Sequence, residues 1–155
     1  MLIKTNQDIE LIKEASRIWK LARAAILDKV CEGIKLIDLD EVARTVIESN
    51  GASCAFHNYL GFPKHICISV NETLIHGVPY DYCLKKGDLV TFDIGIKFKN
   101  HFCDAAFSVI IGEGSIEAQS INNVCYQSLM LAIESIKPNK TTNLDLAEVI
   151  ENYVT

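Results

Sequence analysis

The sequence predicts an α+β fold, and three observations carry that expectation. Apolar residues recur at helical spacing up to about residue 50, alternate with a period of two from about 52 to 111, and return to helical spacing beyond Gly114. The period-two region contains a hairpin, so its sheet is antiparallel.

Taken in order, Thr5 with Asp8 resembles a capping box, and behind it Ile9, Ile12, Ala15, Trp19, Ala22 and Ile26 recur on one helical face. Gly33 breaks this helix. Asp38 with Glu41 reads as a second capping box, followed by Leu39, Val42, Ala43, Val46 and Ile47, with Gly51 as the stop. Ile66 to Val70 and Thr73 to His76 read as short strands joined through Asn71-Glu72. Val90, Phe92, Ile94, Ile96 and Phe98 alternate with Thr91, Asp93, Gly95 and Lys97, a half-buried strand. Beyond a Lys99-Asn100 turn, Cys103, Ala105, Phe107, Val109 and Ile111 form the apolar face of its partner. A helix from about Ser115 to Lys137 stops at Pro138, and Asn143 caps a last helix.

Composition narrows the function. With 155 residues, 49% hydrophobic and 23% charged, the chain has enough material for a globular core. A net charge of -5 disfavours nucleic acid or an anionic membrane as partner, and the densest basic group (Lys97, Lys99, His101) lies at the hairpin tip. No apolar run approaches the roughly 20 residues of a membrane helix. Asp8, Glu10 and Glu14 interrupt what would be the apolar segment of a signal peptide, so a cytoplasmic location is expected. The six cysteines (31, 54, 67, 83, 103 and 125) include no CxxC pair and read as buried or half-buried free thiols.

An internal comparison bears on organisation. A shift of 105 residues lays Gly33 on Pro138, Lys35 on Lys140, and Asp38-Leu39-Asp40 on Asn143-Leu144-Asp145. The order of helix, break and capped helix repeats as well. Residues 1–112 then form a first pseudo-repeat and 115–155 the start of a second. The expectation is that residues 1–155 are an incomplete domain, part of a larger fold whose second sheet lies beyond Thr155.

Asp93 and Asp104 stand out chemically. A two-residue loop at Lys99-Asn100 pairs residue 95 with 104, and a four-residue loop from Lys97 pairs 93 with 104. Either even-length loop puts both carboxylates on the polar face, within roughly 8 Å. Gly95 clears space between them. Two carboxylates this close repel, which a divalent cation would relieve. The alternative is a wet face with two solvated aspartates, though Phe102 and Ala106 nearby favour a lined cleft. His76, beside a Gly-x-Pro turn, reads as structural or as a donor to a polarised carbonyl oxygen.

Several segments together resemble type I methionine aminopeptidase. They are Tyr59-Leu60-Gly61-Phe62-Pro63-Lys64, Ile66-Cys67-Ile68-Ser69-Val70-Asn71-Glu72, His76-Gly77-Val78-Pro79, and Leu84 to Asp93 followed by Asp104. The resemblance implies the first half of a pita-bread fold, an antiparallel sheet with helices packed on one face, plus the opening helices of the second pseudo-symmetric half. It implies removal of the N-terminal methionine from nascent proteins, with two divalent ions (Co, Fe, Mn or Zn) in the complete site. By resemblance Asp93 chelates one metal and Asp104 bridges both, while His76 is catalytic and contacts the substrate. Tyr59, Phe62 and Cys67 line the methionine pocket. Phe62 stands where bacterial relatives usually carry Tyr, and Phe56 where a small Cys is common, which implies a tighter pocket.

The family chemistry also uses a His and two Glu ligands from the second half. No His follows His101, so the chain alone is expected to lack methionine-releasing activity. The implied partners are N-terminal Met peptides, with the ribosome or a separately encoded second half as further candidates. The alternatives are a prolidase-like or aminopeptidase P-like peptidase, and a non-catalytic pita-bread module or remnant that binds a partner or peptide.

Overall fold

The structure, a computed structural model, describes residues 4–155. These residues fall into two compact units that divide between Glu113 and Gly114.

In the first unit, α1 (Asn6–Lys29) begins with the expected capping box. The Thr5 hydroxyl accepts the Asp8 amide while the Asp8 carboxylate accepts the Thr5 amide. Its buried face is Ala15, Ile18, Ala22 and Ile26. The second helix, α2 (Leu36–Ser49), departs from expectation. It starts at Leu36, Lys35 makes no side-chain cap, and Asp38 lies inside the first turn. No Asp38–Glu41 box forms, because a neighbouring chain segment secures this end: the Leu36 amide donates to the Tyr82 carbonyl at 3.1 Å, and the Leu84 amide to Ile34. Glu41 instead pairs with Arg44.

β3 (Leu89–Phe98) is the centre of a four-stranded antiparallel sheet. β4 (His101–Ile110) pairs along its whole length, β2 (Cys67–Val70) against residues 90–93, and β1 (Ser53–Cys54) against 96–97. Val90, Phe92, Ile94 and Ile96 on one face of β3 are fully buried, together with the apolar faces of α1 and α2. Burial of each such side chain is worth about 1.5–3 kcal/mol. The helices therefore cover one face of the sheet, and the other face is left for the aspartates.

The stretch from Thr73 to His76 is not a strand. Asn71 and His76 both adopt left-handed backbone, with φ of 51° and 55°, so the chain turns away from the sheet instead of pairing. Gly77 then returns to β2: its carbonyl accepts the Ile68 amide, and its amide donates to the Ser69 hydroxyl. A Cβ at Gly77 would lie 2.2 Å from the Ile68 carbonyl oxygen, so only glycine permits this approach.

The second unit holds α3 (Ile116–Glu134), whose N-cap is Ser115, and α4 (Asn143–Val154). The cap of α4 is Thr142, one residue before the expected Asn143. It forms a complete box with Asp145: the Thr142 hydroxyl accepts the Asp145 amide and the Asp145 carboxylate accepts the Thr142 amide. Among the described residues no helix is long and apolar enough to cross a membrane. Cys54 and Cys67 are buried, whereas Cys31, Cys83 and Cys125 are exposed, contrary to the expectation of buried or half-buried thiols throughout.

Candidate active site

The hairpin uses the shorter of the two expected turns. Lys99 and Asn100, at φ of 46° and 62°, form the two-residue loop, and Phe98 pairs with His101. Gly95 therefore faces Asp104, Asp93 faces Ala106, and the two carboxylates sit one diagonal step apart on the same face. On the opposite edge of β3, Cys67 lies directly across from Asp93.

Asp93, Asp104 and Cys67 line one cleft of about 520 Å³, together with Tyr59, Phe62, His76, Phe56 and Val78. Asp93, Asp104, His76, Tyr59, Phe62, Cys67 and Phe56 thus meet in one place, whereas Phe102 and Ala106, expected beside the aspartates as cleft lining, are exposed and do not line it. His76 arrives on its left-handed backbone, held by Gly77 docked on β2. Tyr59 and Phe62 arrive on the loop between β1 and β2. The space that Gly95 clears is not left open: a Cβ there would lie 2.5 Å from Phe56 Cε1, so the Phe56 ring fills it. The glycine next to the aspartates makes room for an aromatic wall.

The electrostatics are uneven. Burial, and then the adjacent Asp104 carboxylate, push the Asp93 carboxyl up to about 6, with His76 pulling the other way. Burial, and then Asp93 and Asp104, push the Cys67 thiol up to about 11. Cys67 is therefore a neutral thiol near pH 7, suited to lining an apolar pocket and not to nucleophilic attack. A carboxylate pair of this kind, Asp93 half-buried and Asp104 exposed, fits one side of a divalent cation, and oxygen donors suit such ions. Among the described residues no group of three or more His, Cys, Asp or Glu is placed to hold a metal ion. The pair is a partial donor set.

Two other buried carboxylates escaped the sequence reading. Asp40, 3% exposed, accepts the backbone amides of His65 (2.9 Å) and Ile66 (3.0 Å) on one oxygen, and His65 Nδ1 lies 2.8 Å from the other. Asp88 accepts from the Lys85 amide, the Asn71 amide group and the Tyr82 hydroxyl. Burial raises the Asp88 carboxyl, but these donors outweigh it and hold it below the usual carboxylate value. A signal for Asp40 existed: it falls on the buried stripe of α2, with Leu36, Leu39, Ala43 and Ile47. A lone carboxylate on an apolar stripe requires partners.

The sequence profile of Peptidase_M24, metallopeptidase family M24, matches residues 10–155. The chain is 33% identical to the methionine aminopeptidase of Helicobacter pylori (strain ATCC 700392 / 26695) over 153 residues, covering 99% of this chain and 60% of that protein. It is 32% identical to methionine aminopeptidase 1 of Bacillus subtilis (strain 168), again covering 99% of this chain and 62% of the relative. It superposes on the crystal structure of methionine aminopeptidase from Rickettsia prowazekii with a TM-score of 0.94 at 29% identity, over 99% of this chain and 61% of that one. Prolidase from Pyrococcus furiosus shares the fold at a TM-score of 0.84 and 23% identity. The expected α+β, pita-bread type of fold therefore holds, and the chain spans about 60% of the length of its methionine aminopeptidase relatives. The chain belongs to metallopeptidase family M24.

Proposed function

We propose that this chain supplies the Asp93, Asp104 and His76 side of a methionine aminopeptidase site, which removes N-terminal methionine from peptides and nascent proteins. The observation that carries the reading is the single cleft in which an adjacent carboxylate pair, an exposed imidazole and an aromatic-lined pocket meet. Asp93 and Asp104 would hold divalent cation, which when bound polarises a carbonyl and activates water. His76, set on a backbone with little freedom, donates a hydrogen bond to the scissile carbonyl oxygen. Tyr59, Phe62 and the neutral thiol of Cys67 enclose the substrate side chain, since a thioether packs well against aromatic rings. Phe56 closes the floor over Gly95 and narrows the pocket.

With no third protein ligand beside the aspartates among the described residues, the 155-residue chain by itself does not release methionine from a Met-Ala-Ser peptide with cobalt or manganese added. Free methionine above the metal-only control would contradict that. The same incomplete donor set favours a second reading, a non-catalytic module that binds a peptide or partner. Amide-shift mapping with L-methioninamide and L-alaninamide tests the pocket. Methioninamide should shift Tyr59, Phe62, Cys67 and His76, and alaninamide should do so far less. Equal or absent shifts there would remove the methionine-specific reading.

A further inference from the structure

The loop from His57 to Ile66 carries Tyr59, Phe62 and Pro63 into the cleft, and its conformation is costly. Asn58 and Leu60 have left-handed backbone, at φ of 63° and 49°, and Leu60 is 92% exposed with nothing packed over it. Such a loop keeps its shape only when its ends are held. Its ends are joined by a ladder of contacts. The Asn58 amide donates to the Phe62 carbonyl at 2.9 Å, and His57 Nδ1 lies 3.4 Å from the Lys64 carbonyl oxygen. The His57 and His65 rings stack, with centroids 4.7 Å apart. At the base of the ladder stands Asp40, on a different element, binding His65 through both backbone and ring and Ile66 through its backbone.

We propose that Asp40 is a positioning residue for the substrate pocket: with the His65–His57 stack it clamps both ends of the loop, and so sets where Tyr59 and Phe62 stand. This rests on the reading of the cleft as a methionine pocket. Asp40 lies outside the cleft and touches no substrate. Its carboxylate satisfies two backbone donors that no other acceptor serves, so its effect on the pocket passes through the loop.

Amide hydrogen exchange on the full 155-residue chain, paired with L-methioninamide titration, tests this. In Asp40→Ala, exchange at Asn58, Phe62, His65 and Ile66 should rise about tenfold more than at Ile94 and Ile96 in β3, and methioninamide affinity should fall about tenfold. Asp40→Asn keeps an acceptor oxygen for the two backbone amides and should restore most of both. If Asp40→Ala does not fold, His65→Ala serves: Ile66 should stay protected while Asn58 and Phe62 loosen. A rise no greater at the loop than at β3 would reduce Asp40 to a general stabiliser and overturn the proposal. So would selective loosening with unchanged affinity. Failure of the wild-type chain to bind methioninamide at millimolar concentration would instead overturn the pocket reading, and the positioning role with it.

Discussion

Asp40 and Asp88 on one side, and Asp93 and Asp104 on the other, are carboxylates of the same small domain in opposite surroundings: the first two are buried, while Asp93 is half-buried and Asp104 exposed. The first two are wrapped in donors: backbone amides, an imidazole, an asparagine amide and a tyrosine hydroxyl. The second two face each other across a strand diagonal, and Asp93 is raised by burial and by its neighbour. Among the described residues no hydrogen-bond donor of that kind surrounds the second pair, and this contrast is the ground for proposing a cation there. The donor-wrapped pair shapes the site: Asp40 holds the loop of Tyr59 and Phe62, and Asp88 holds the Asn71 turn from which the chain runs to His76.

The contrast is sharpest in stability. Asp40→Ala strands the buried Ile66 amide and the half-buried His65 amide, at about 1–3 kcal/mol for a buried donor, so urea unfolding should show a loss of about 2–5 kcal/mol. A loss below about 1 kcal/mol would erase the distinction. Gly95→Ala should cost about 1–3 kcal/mol, because the added methyl meets the Phe56 ring and the ring must leave the cleft floor. An unchanged midpoint would show that Phe56 is free to move.

The pH dependence of the two groups has opposite sign. Asp93 has a folded-state value of about 6, above the ordinary 3.8, so the folded chain binds its proton more tightly. In metal-free buffer that contribution makes the chain more stable as pH falls from about 6 toward 4, by about 1 kcal/mol once solvent screening is allowed for. Asp88 is held below its ordinary value, so its contribution is present above about 4 and is lost as pH falls further. Asp93→Asn removes the repulsion. It should raise stability at pH 7 by up to about 1 kcal/mol and flatten the limb between pH 6 and 4, as thermal unfolding across that range would report. A limb unchanged by the substitution would assign it to another group.

Much of this site was legible in sequence because it depends on local parity. Any even-length turn between β3 and β4 puts Asp93 and Asp104 on one face, and only the choice between directly opposed and diagonal waited for the register. The capping boxes at Thr5 and Thr142 are similarly local, and reading Asn143 as the cap missed by one residue. What sequence could not show involves distant partners. Whether α2 needs its own cap depends on Tyr82, 46 positions beyond Leu36, and Asp40 finds its donors 25 and 26 positions away. Thr73 to His76 has the composition of a strand, yet a close approach at Gly77 and two left-handed residues turn it into the arm that delivers His76.

The most direct measurement is calorimetric titration of Mn²⁺ into the metal-free chain at pH 7, compared with Asp93→Asn, Asp104→Asn and Asp88→Asn in folded form. If the carboxylate pair is the cation site, the wild-type chain binds Mn²⁺ at pH 7, where Asp93 is already largely ionised. Either cleft substitution then weakens binding at least about tenfold, while Asp88→Asn leaves it unchanged. Binding that survives both cleft substitutions, or no binding by the wild-type chain at millimolar Mn²⁺, would contradict the account.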